Sequence, residues 1–388
     1  MSSFKNRCEY ILKHNSFIQF GYKYGVSFVF RFIGLFLKTN NKLILFNSFG
    51  GRKYNDSPKV LFQAMLHDSR FDGFQYVWAF EEPEKFRIPG AKSIKIDSWE
   101  YFKTALQAKV WISSVNIERG LHFKKRKTLY INTWHGAGTK KIGNACNGRK
   151  DYNFSAVDIM LVQSHFEQEI FVRDFLCNPN AIRMVGFPRN DELFHITDQK
   201  RKELRIKFNI PANKKVILYA PTWRDSRNGG VSYDFVPPIH MDKWKAALSD
   251  SFVMLFRMHT FTTKFDMTFD DFARDVSLYE DLNHILAITD VLVTDYSTIV
   301  YDSVIAEVPF ICFGFDYDTY KEERGFYFDL EEVYPGGVFK TEDAVIKRIQ
   351  DVVSGEDQQS FATFRKKYVE AGGMATRTIL DELSTMLS

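Results

Sequence analysis

The sequence lacks a long apolar segment and has few cysteines, and both absences limit what the protein is. No stretch of the 388 residues reaches the roughly 18 consecutive apolar residues that a membrane-spanning helix needs, and no signal peptide with a cleavage site is visible. The four cysteines lie far apart and form neither a CxxC pair nor a cluster with histidines at metal-ligand spacing. We therefore expect a reduced, cytoplasmic compartment and no disulfide framework.

The sequence also lacks a strong excess of charge of either sign. Its 52 lysines and arginines against 48 aspartates and glutamates give a net charge of +4, which argues against a general nucleic-acid binder. Hydrophobic residues make up 45% and charged residues 26%, the composition of a globular protein. Because a chain of this length is too long for one ordinary core, we expect two domains.

Aromatic residues, in contrast, are abundant, with 38 phenylalanines and 18 tyrosines. Many lie within residues 4–38, where they are interleaved with lysines and arginines and where Glu9 is the only acid. We interpret residues 1–40 as a basic, aromatic helical segment of the kind that suits an anionic membrane surface. The alternative is a pair of helices packed on the body of the protein.

From residue 42 onward, short apolar runs alternate with helix-like segments. Predicted strands cover residues 43–46, 75–80, 93–96, 110–113, 129–133, 159–162, 183–185, 215–220, 252–256, 291–293 and 309–313. Predicted helices lie near residues 58–67, 98–107, 164–174, 341–353 and 357–386, and residues 198–214 are interpreted as a connection. We therefore expect an α/β protein with two Rossmann-like, doubly wound domains, at residues 41–205 and 206–388, that face a central cleft. In this division the last helix is free to pack back on the first domain.

Polar motifs follow the strands, at the edge where doubly wound proteins bind ligands. The strand ending at Thr133 leads into Trp134, His135 and Gly136, and Lys140 and Lys141 follow. Glycine lets a ligand approach the backbone, and the lysines bring positive charge. A lone loop histidine is more often only hydrogen-bonded, but this composition favours a catalytic role.

A second polar motif follows the run 291–293 and opens a helix. It contains Thr294, Asp295, Ser297 and Thr298. A helix start offers unpaired N–H groups and the positive end of the helix dipole, which favour a phosphate. The alternative is an ordinary N-cap formed by Ser297 or Asp295. Residues 226–240, rich in glycine and proline, are interpreted as a mobile loop over the site.

Six motifs together resemble the CDP-glycerol glycerophosphotransferase family of teichoic acid and capsule synthesis. They are Trp134-His135-Gly136 with Lys140-Lys141-Ile142-Gly143, Gly186-Phe187-Pro188-Arg189-Asn190-Asp191, Ala220-Pro221-Thr222-Trp223-Arg224, Arg257-Met258-His259, Thr294-Asp295-Tyr296-Ser297 and Arg324-Gly325-Phe326-Tyr327. The resemblance covers roughly residues 42–370. It implies the two-domain glycosyltransferase-B architecture and transfer of a polyol phosphate from a CDP-activated donor to a hydroxyl of a lipid-linked or oligosaccharide acceptor. CMP would be released at the cytoplasmic face of the membrane, where the enzyme would be peripheral.

The resemblance also implies roles for individual residues. The catalytic pair would be His135, as base, and His259, beside the donor diphosphate. The donor and phosphate site would comprise Arg224, Thr222, Arg257, Thr294, Asp295, Ser297, Thr298 and Arg324. The acceptor side of the cleft would comprise Trp134, Gly136, Lys140, Lys141, Arg189, Asn190 and Asp191. Ser297, Thr298 and backbone N–H groups are expected to face the phosphates, and Asp295 is expected to organise the turn.

One departure from the family pattern leaves the substrates open. Ala137-Gly138 follows Trp-His-Gly here, where the family commonly has Thr-Pro, so neither the acceptor nor the choice between CDP-glycerol and CDP-ribitol is settled. No cofactor is firmly implied, because hydroxyls, a helix start and Arg224 suit a leaving CMP without a metal. One possibility is that Asp295 and Asp302 form a magnesium site. The alternative is that each carboxylate caps a helix or holds another side chain.

Two other functions fit the same sequence. A nucleotide-sugar glycosyltransferase has the same two-domain architecture, and the fold alone does not separate the two activities. A non-catalytic protein of the membrane surface that retains the cleft is the second alternative. The chemistry favours the transferase, because an acceptor hydroxyl needs a base near pH 7 and a neutral histidine suits that task.

Overall fold

The structure, a computed structural model, describes residues 16–136, 138–146, 151–222, 238–258 and 269–388. Within these residues the chain forms two α/β domains, each built around one parallel sheet. Polar loops at the carboxyl ends of both sets of strands meet between the domains and form a cleft.

The N-terminal domain contains a seven-stranded sheet and the helices that cover it. Its strands are β1 (Asn40–Asn47), β2 (Gln75–Phe80), β3 (Ala91–Lys95), β4 (Ala108–Ser113), β5 (Leu129–Asn132), β6 (Ile159–Val162) and β7 (Ile182–Met184). Its helices are α1 (Ser16–Phe36), α2 (Asp56–Met65), α3 (Trp99–Gln107) and α4 (His165–Asp174), with 3-10 turns at Phe49–Gly51 and Pro188–His195 among others. The strand order is β3-β2-β1-β4-β5-β6-β7.

The C-terminal domain contains a six-stranded sheet. Its strands are β8 (Lys215–Tyr219), β9 (Phe252–Phe256), β10 (Ala273–Asp275), β11 (Val291–Thr294), β12 (Phe310–Phe313) and β13 (Val338–Phe339). Its helices are α5 (Asp198–Lys207), α6 (Met241–Leu248), α7 (Leu282–Ile288), α8 (Ile299–Ile305), α9 (Tyr317–Arg324), α10 (Leu330–Val333), α11 (Glu342–Val353) and α12 (Gln358–Tyr368), and α13 (Ala375–Leu387) follows. The strand order is β10-β9-β8-β11-β12-β13.

Both sheets have the order of a doubly wound fold, and all pairings are parallel. The order reverses between β1 and β4 in the first sheet and between β8 and β11 in the second. Helices cover both faces, so central strands such as β6 and β9 are buried along their whole length and read as continuous apolar runs. The predicted fold class is confirmed.

The structure differs from the predicted elements in several places. Helix α5 occupies much of the expected connection, and the first strand-following helix begins at Asp56, two residues before Pro58. The short strands β10 and β13 carried no periodic signal. The predicted helix 357–386 is two helices, because Gly372 and Gly373 adopt positive φ between them, where a residue with a side chain would be strained.

Helix α13 returns to the N-terminal domain. Ile379, Leu380 and Leu383 lie in the apolar core under β1, β2 and β4, and Arg183 forms an ion pair with Glu382 at 2.7 Å. The chain therefore crosses between the domains twice.

Helix α1 packs one face on the N-terminal domain and leaves the other uncovered. Phe30 stacks on Phe102 with ring centroids 4.4 Å apart, and Gly34 lies against the Leu106 side chain. The opposite face exposes large apolar side chains, namely Phe20, Tyr22, Tyr24, Phe28, Val29, Phe32, Leu35 and Phe36. Within the part of the chain that the structure describes, no helix has the length and apolar character needed to span a membrane.

Candidate active site

His135 lies just after β5, at the carboxyl edge of the N-terminal sheet. Its Nδ1 is 2.7 Å from the Ser114 carbonyl oxygen. Because a carbonyl only accepts, Nδ1 carries the proton and Nε2 keeps its lone pair. Burial lowers the pKa of His135, the Ser114 carbonyl and Asp56 oppose that shift, and the charges of Arg189 and Arg52 add to it. The ring is therefore held as a neutral base.

The residues on either side of His135 fix its position. Trp134 is buried and packs on Phe175, with ring centroids 4.8 Å apart, so its ring is a support beneath the histidine and part of the N-terminal core. Gly136 has a φ of 151°, and a Cβ built there would lie 2.9 Å from Oγ1 of Thr298. The absence of a side chain at Gly136 thus allows the histidine loop to touch the turn of the opposite domain.

The rest of the histidine loop binds the motif that begins at Arg324. Lys140 pairs with Phe326 in an antiparallel bridge, and the Lys141 N–H donates to the Gly325 carbonyl at 3.1 Å. Arg324 itself ends α9. The two predicted motifs are therefore brought together across the domain interface.

Hydroxyl groups extend this contact. Oγ1 of Thr139 donates to the Tyr301 hydroxyl at 3.1 Å and accepts from the Tyr334 hydroxyl at 3.3 Å. The Tyr327 N–H donates to the Thr139 carbonyl at 3.1 Å. Thr139 belongs to the N-terminal domain, and the three tyrosines belong to the C-terminal domain. These hydrogen bonds therefore attach the loop after His135 to the C-terminal side of the cleft.

The polar turn after β11 lies opposite His135. Thr294 is buried and its hydroxyl donates to the Ala220 carbonyl at 2.6 Å. The Asp295 carboxylate accepts from the Thr222 N–H at 2.7 Å and from the Tyr296 N–H at 2.6 Å. Both side chains hold the loop after β8 against the turn, the organising position expected for Asp295.

After Tyr296, this turn continues with Ser297 and Thr298, which are half-buried and carry hydroxyl groups. Oγ of Ser297 accepts from the N–H of Ile299, the first residue of α8, at 3.3 Å. Thr298 is the N-cap residue of α8, and its side chain makes no capping hydrogen bond. The Thr298 hydroxyl lies against Gly136 of the histidine loop.

Arg189 ties the two domains together. It forms an ion pair with Asp302 of α8 at 3.0 Å and a longer one with Asp56 at 3.4 Å. Asn190 donates to the same Asp302 carboxylate at 2.6 Å, and Asn283 donates to the Arg189 carbonyl at 2.5 Å. Asp302 thus holds two other side chains, which is one of the two roles that the sequence suggests for this carboxylate.

Asp191 and Arg257 also have protein partners. The Asp191 carboxylate accepts from the N–H groups of Ala375 and Thr376, at 3.0 and 2.7 Å, so it caps α13. Nη1 of Arg257 donates to the Tyr279 carbonyl at 2.6 Å. Burial lowers the pKa of Arg257, and Asp281 opposes that shift.

Several predicted features lie outside the described residues. These are His259, Arg224, Ala137, most of the loop at residues 226–240 and residues 1–15. Their roles stay predictions.

Sequence reasoning did not find the support that Ser114 gives to His135, since a backbone carbonyl has no sequence signal. It also passed over Arg52, whose charge contributes to the lowered pKa of His135, and its neighbour Lys53, both of which follow β1. The rule that points to the other site residues, namely polar side chains after a strand, would have selected them.

Among the described residues, Glu192, Asp281 and His284 have the spacing of metal ligands. Asp281 caps α7 through the Asn283 N–H at 3.0 Å, and Nδ1 of His284 lies 2.8 Å from the Tyr279 hydroxyl. Since these groups already have protein partners, we interpret them as a cap with ion pairs.

Comparison with known proteins gives a consistent result. A family model described as CDP-Glycerol:Poly(glycerophosphate) glycerophosphotransferase matches residues 29–383. The chain is 33% identical over 363 residues to a teichoic acid poly(glycerol phosphate) polymerase of Staphylococcus epidermidis, with 88% of this chain and 50% of the polymerase covered. It is 32% identical over 352 residues to a teichoic acid glycerol-phosphate transferase of Staphylococcus aureus, with 85% and 89% covered. The chain thus spans half the length of the first relative and most of the second.

A solved structure shows the same architecture. The wall teichoic acid polymerase TagF superposes with a TM-score of 0.82 at 31% identity, with 98% of both chains covered. A variant of TagF soaked with CDPG gives a TM-score of 0.79 at 31% identity, with 90% of both chains covered. The expected glycosyltransferase-B architecture is confirmed.

Proposed function

The chain belongs to the CDP-glycerol:poly(glycerophosphate) glycerophosphotransferase family, and on that premise we propose that it transfers glycerol phosphate from CDP-glycerol to an acceptor hydroxyl, releasing CMP. The acceptor is a lipid-linked or polymer chain of teichoic acid or capsule synthesis. The observation that carries the proposal is His135, a neutral base at the cleft whose loop touches Thr298 of the opposite domain.

The chemistry that this site supports is base-assisted phosphoryl transfer. Nε2 of His135 takes the proton of the acceptor hydroxyl as its oxygen attacks phosphorus, and the bond to the CMP oxygen breaks. General-base removal of a proton contributes roughly 100-fold or more to a rate. The remaining acceleration comes from positioning and from charges that stabilise the leaving group.

The donor phosphates are assigned to the C-terminal side of the cleft. Ser297 and Thr298 supply hydroxyls there, while Thr294 and Asp295 shape the turn through their bonds to the loop after β8. Arg224 and His259 remain predicted members of this site. The soaked structure of TagF supports CDP-glycerol as the donor, because CDPG is the compound offered to that polymerase.

Membrane contact is the third part of the proposal. Helix α1 is apolar on its inner face and on its outer face, yet only the inner face packs on the protein. Phe28 and Phe36 are 69% and 74% exposed, a degree of exposure that is costly in water and favourable at a bilayer interface. With Arg31 beside them, these side chains suit an anionic surface. We therefore place the enzyme peripherally on the inner face of the membrane, next to a lipid-linked acceptor.

One product analysis tests the activity against its alternatives. The purified chain receives CDP-glycerol, CDP-ribitol and a UDP-sugar together, with a lipid-linked acceptor, and the products are weighed by mass spectrometry. The proposal predicts an acceptor heavier by glycerol phosphate together with free CMP. Addition of ribitol phosphate alone would change the polyol, and turnover of the UDP-sugar alone would replace the proposal with a glycosyltransferase.

A further inference from the structure

Ser114 connects the loop after β1 to the catalytic base, His135. The Phe49 N–H donates to Oγ of Ser114 at 3.1 Å, and the carbonyl of the same Ser114 binds Nδ1 of His135. The rings of Phe49 and His135 lie 5.2 Å apart. The loop follows β1, and Ser114 follows β4. Because the strand order reverses between β1 and β4, this contact lies at the position where doubly wound sheets bind ligands.

The backbone of this loop has little freedom. Phe49, Gly50 and Gly51 have φ values of 46°, 69° and 89°, and a Cβ on Gly51 would lie 3.0 Å from the Glu81 nitrogen. Nε of Arg52 donates to the Phe49 carbonyl at 3.0 Å. Such strain persists only where the surroundings enforce it, and it gathers at functional sites. The loop therefore presents Arg52 in a fixed place.

Arg52 and Lys53 bring positive charge to the cleft. Both are exposed, and within the described residues neither forms an ion pair, whereas nearby Arg119 pairs with Asp97 at 2.9 Å. Partial burial lowers the pKa of Lys53, and the charges of Arg257 and Arg52 lower it further, against the effect of Glu280. Cations of both domains thus gather at the cleft, an arrangement that an anionic ligand stabilises.

We propose that Arg52 and Lys53 bind a phosphate of the acceptor and thereby place its terminal hydroxyl against Nε2 of His135. The inference rests on the proposed function and deepens it by assigning these two residues to the phosphodiester beside the acceptor hydroxyl that is extended. We assign the two cations to the acceptor and not to the donor because they lie on the domain of His135. The turn assigned to the donor phosphates lies on the opposite domain.

Steady-state kinetics with two acceptors tests the assignment. One lipid-linked acceptor ends in glycerol phosphate, and the other lacks that unit. The Arg52→Gln/Lys53→Gln double variant should raise KM for the phosphate-bearing acceptor by roughly tenfold or more, since charge-assisted bonds are lost. KM for CDP-glycerol should stay near the wild-type value, and KM for the acceptor without phosphate should rise much less than KM for the phosphate-bearing acceptor.

Two further variants serve as controls. The Arg52→Lys/Lys53→Arg pair keeps both charges and should recover most of the acceptor affinity. The Lys202→Gln/Lys347→Gln pair removes the same charge from exposed positions on α5 and α11 and should change nothing. Thermal unfolding of each variant shows whether it is folded.

The outcomes separate the inference from the proposed function. If the wild type turns over and the glutamine pair leaves the acceptor KM unchanged, the inference is wrong. A rise in KM for CDP-glycerol instead would assign the cations to the donor, which also overturns it. If the wild type releases no CMP, the proposed function fails. Calorimetric binding of a glycerol-phosphate oligomer then decides the inference, with equal affinities of wild type and glutamine pair against it.

Discussion

Nδ1 of His135 lies 2.7 Å from the carbonyl oxygen of Ser114, and this contact defines the chemistry of the cleft. It fixes the tautomer, because only a protonated Nδ1 bonds to a carbonyl. It also orients Nε2 away from β4.

The first prediction concerns the pH dependence of the reaction. Burial lowers the pKa of His135 below its ordinary value of 6.5, so the base stays neutral to lower pH than a free histidine does. The acid limb of kcat/KM for CMP release should therefore have its midpoint below 6.5. Asp56→Asn should lower the midpoint further, since the Asp56 charge favours the protonated ring. A midpoint above the ordinary value would contradict this description of the ring's environment.

The second prediction concerns Gly136. Gly136→Ala would bring a methyl group within 2.9 Å of Oγ1 of Thr298, so the histidine loop must shift. A displacement of about 1 Å costs on the order of 100-fold in rate, and CMP release should fall by that order. Gly120→Ala is the matched control, because Gly120 also has a positive φ but no atom lies within 4 Å of its added Cβ. Equal losses in the two variants would point to backbone strain alone.

The third prediction concerns the link between the domains. Asp302→Ala removes the closer partner of Arg189, a guanidinium only 17% exposed. Breaking such a buried pair costs about 3–5 kcal/mol, which urea unfolding measures. Asp318→Ala removes an ion pair whose carboxylate is 81% exposed and should cost about 1 kcal/mol at most. If both variants lost similar free energies of unfolding, the Arg189–Asp302 ion pair would not stabilise the contact between the domains.

The fourth prediction concerns α1. Phe28→Ser/Phe32→Ser/Phe36→Ser changes only the outer face of the helix, so the circular dichroism spectrum should stay unchanged. Sedimentation with phosphatidylglycerol vesicles should weaken by roughly tenfold or more, because each buried phenylalanine contributes about 1.5–3 kcal/mol. Ile206→Ser/Leu278→Ser alters exposed apolar residues of the other domain and serves as the control. Undiminished sedimentation of the triple variant would remove α1 from the membrane contact.

The fold was predictable wherever apolar runs were long enough to dominate locally. Strands β2, β6 and β9 match the predicted runs residue for residue, because a strand covered on both faces is apolar at nearly all of its positions. Strand β10 has three residues, two of them charged, and its pairing with β9 gives it strand structure. Helix α5 was interpreted as a connection because residues 198–214 are rich in charge, and in the structure only Leu204 among the residues of α5 is buried.

The candidate site was predictable to the level of loops. Strand-end positions identified the loops of His135 and of Thr294, since parallel strands gather their carboxyl ends at one edge. The partners within the site were not predictable in the same way. Arg189 and Asp302 are separated by 113 residues, and no local pattern marks a pair formed between two domains.

The most direct test of the central claim is CMP release by His135→Ala from CDP-glycerol with a lipid-linked acceptor. The variant should lose roughly 100-fold or more of the wild-type rate while calorimetry shows that it still binds CDP-glycerol. His67→Ala, at an exposed position after α2, should keep the full rate. Near-normal turnover by His135→Ala would contradict the account, because the protein would then carry out the transfer without the base that the cleft is built around.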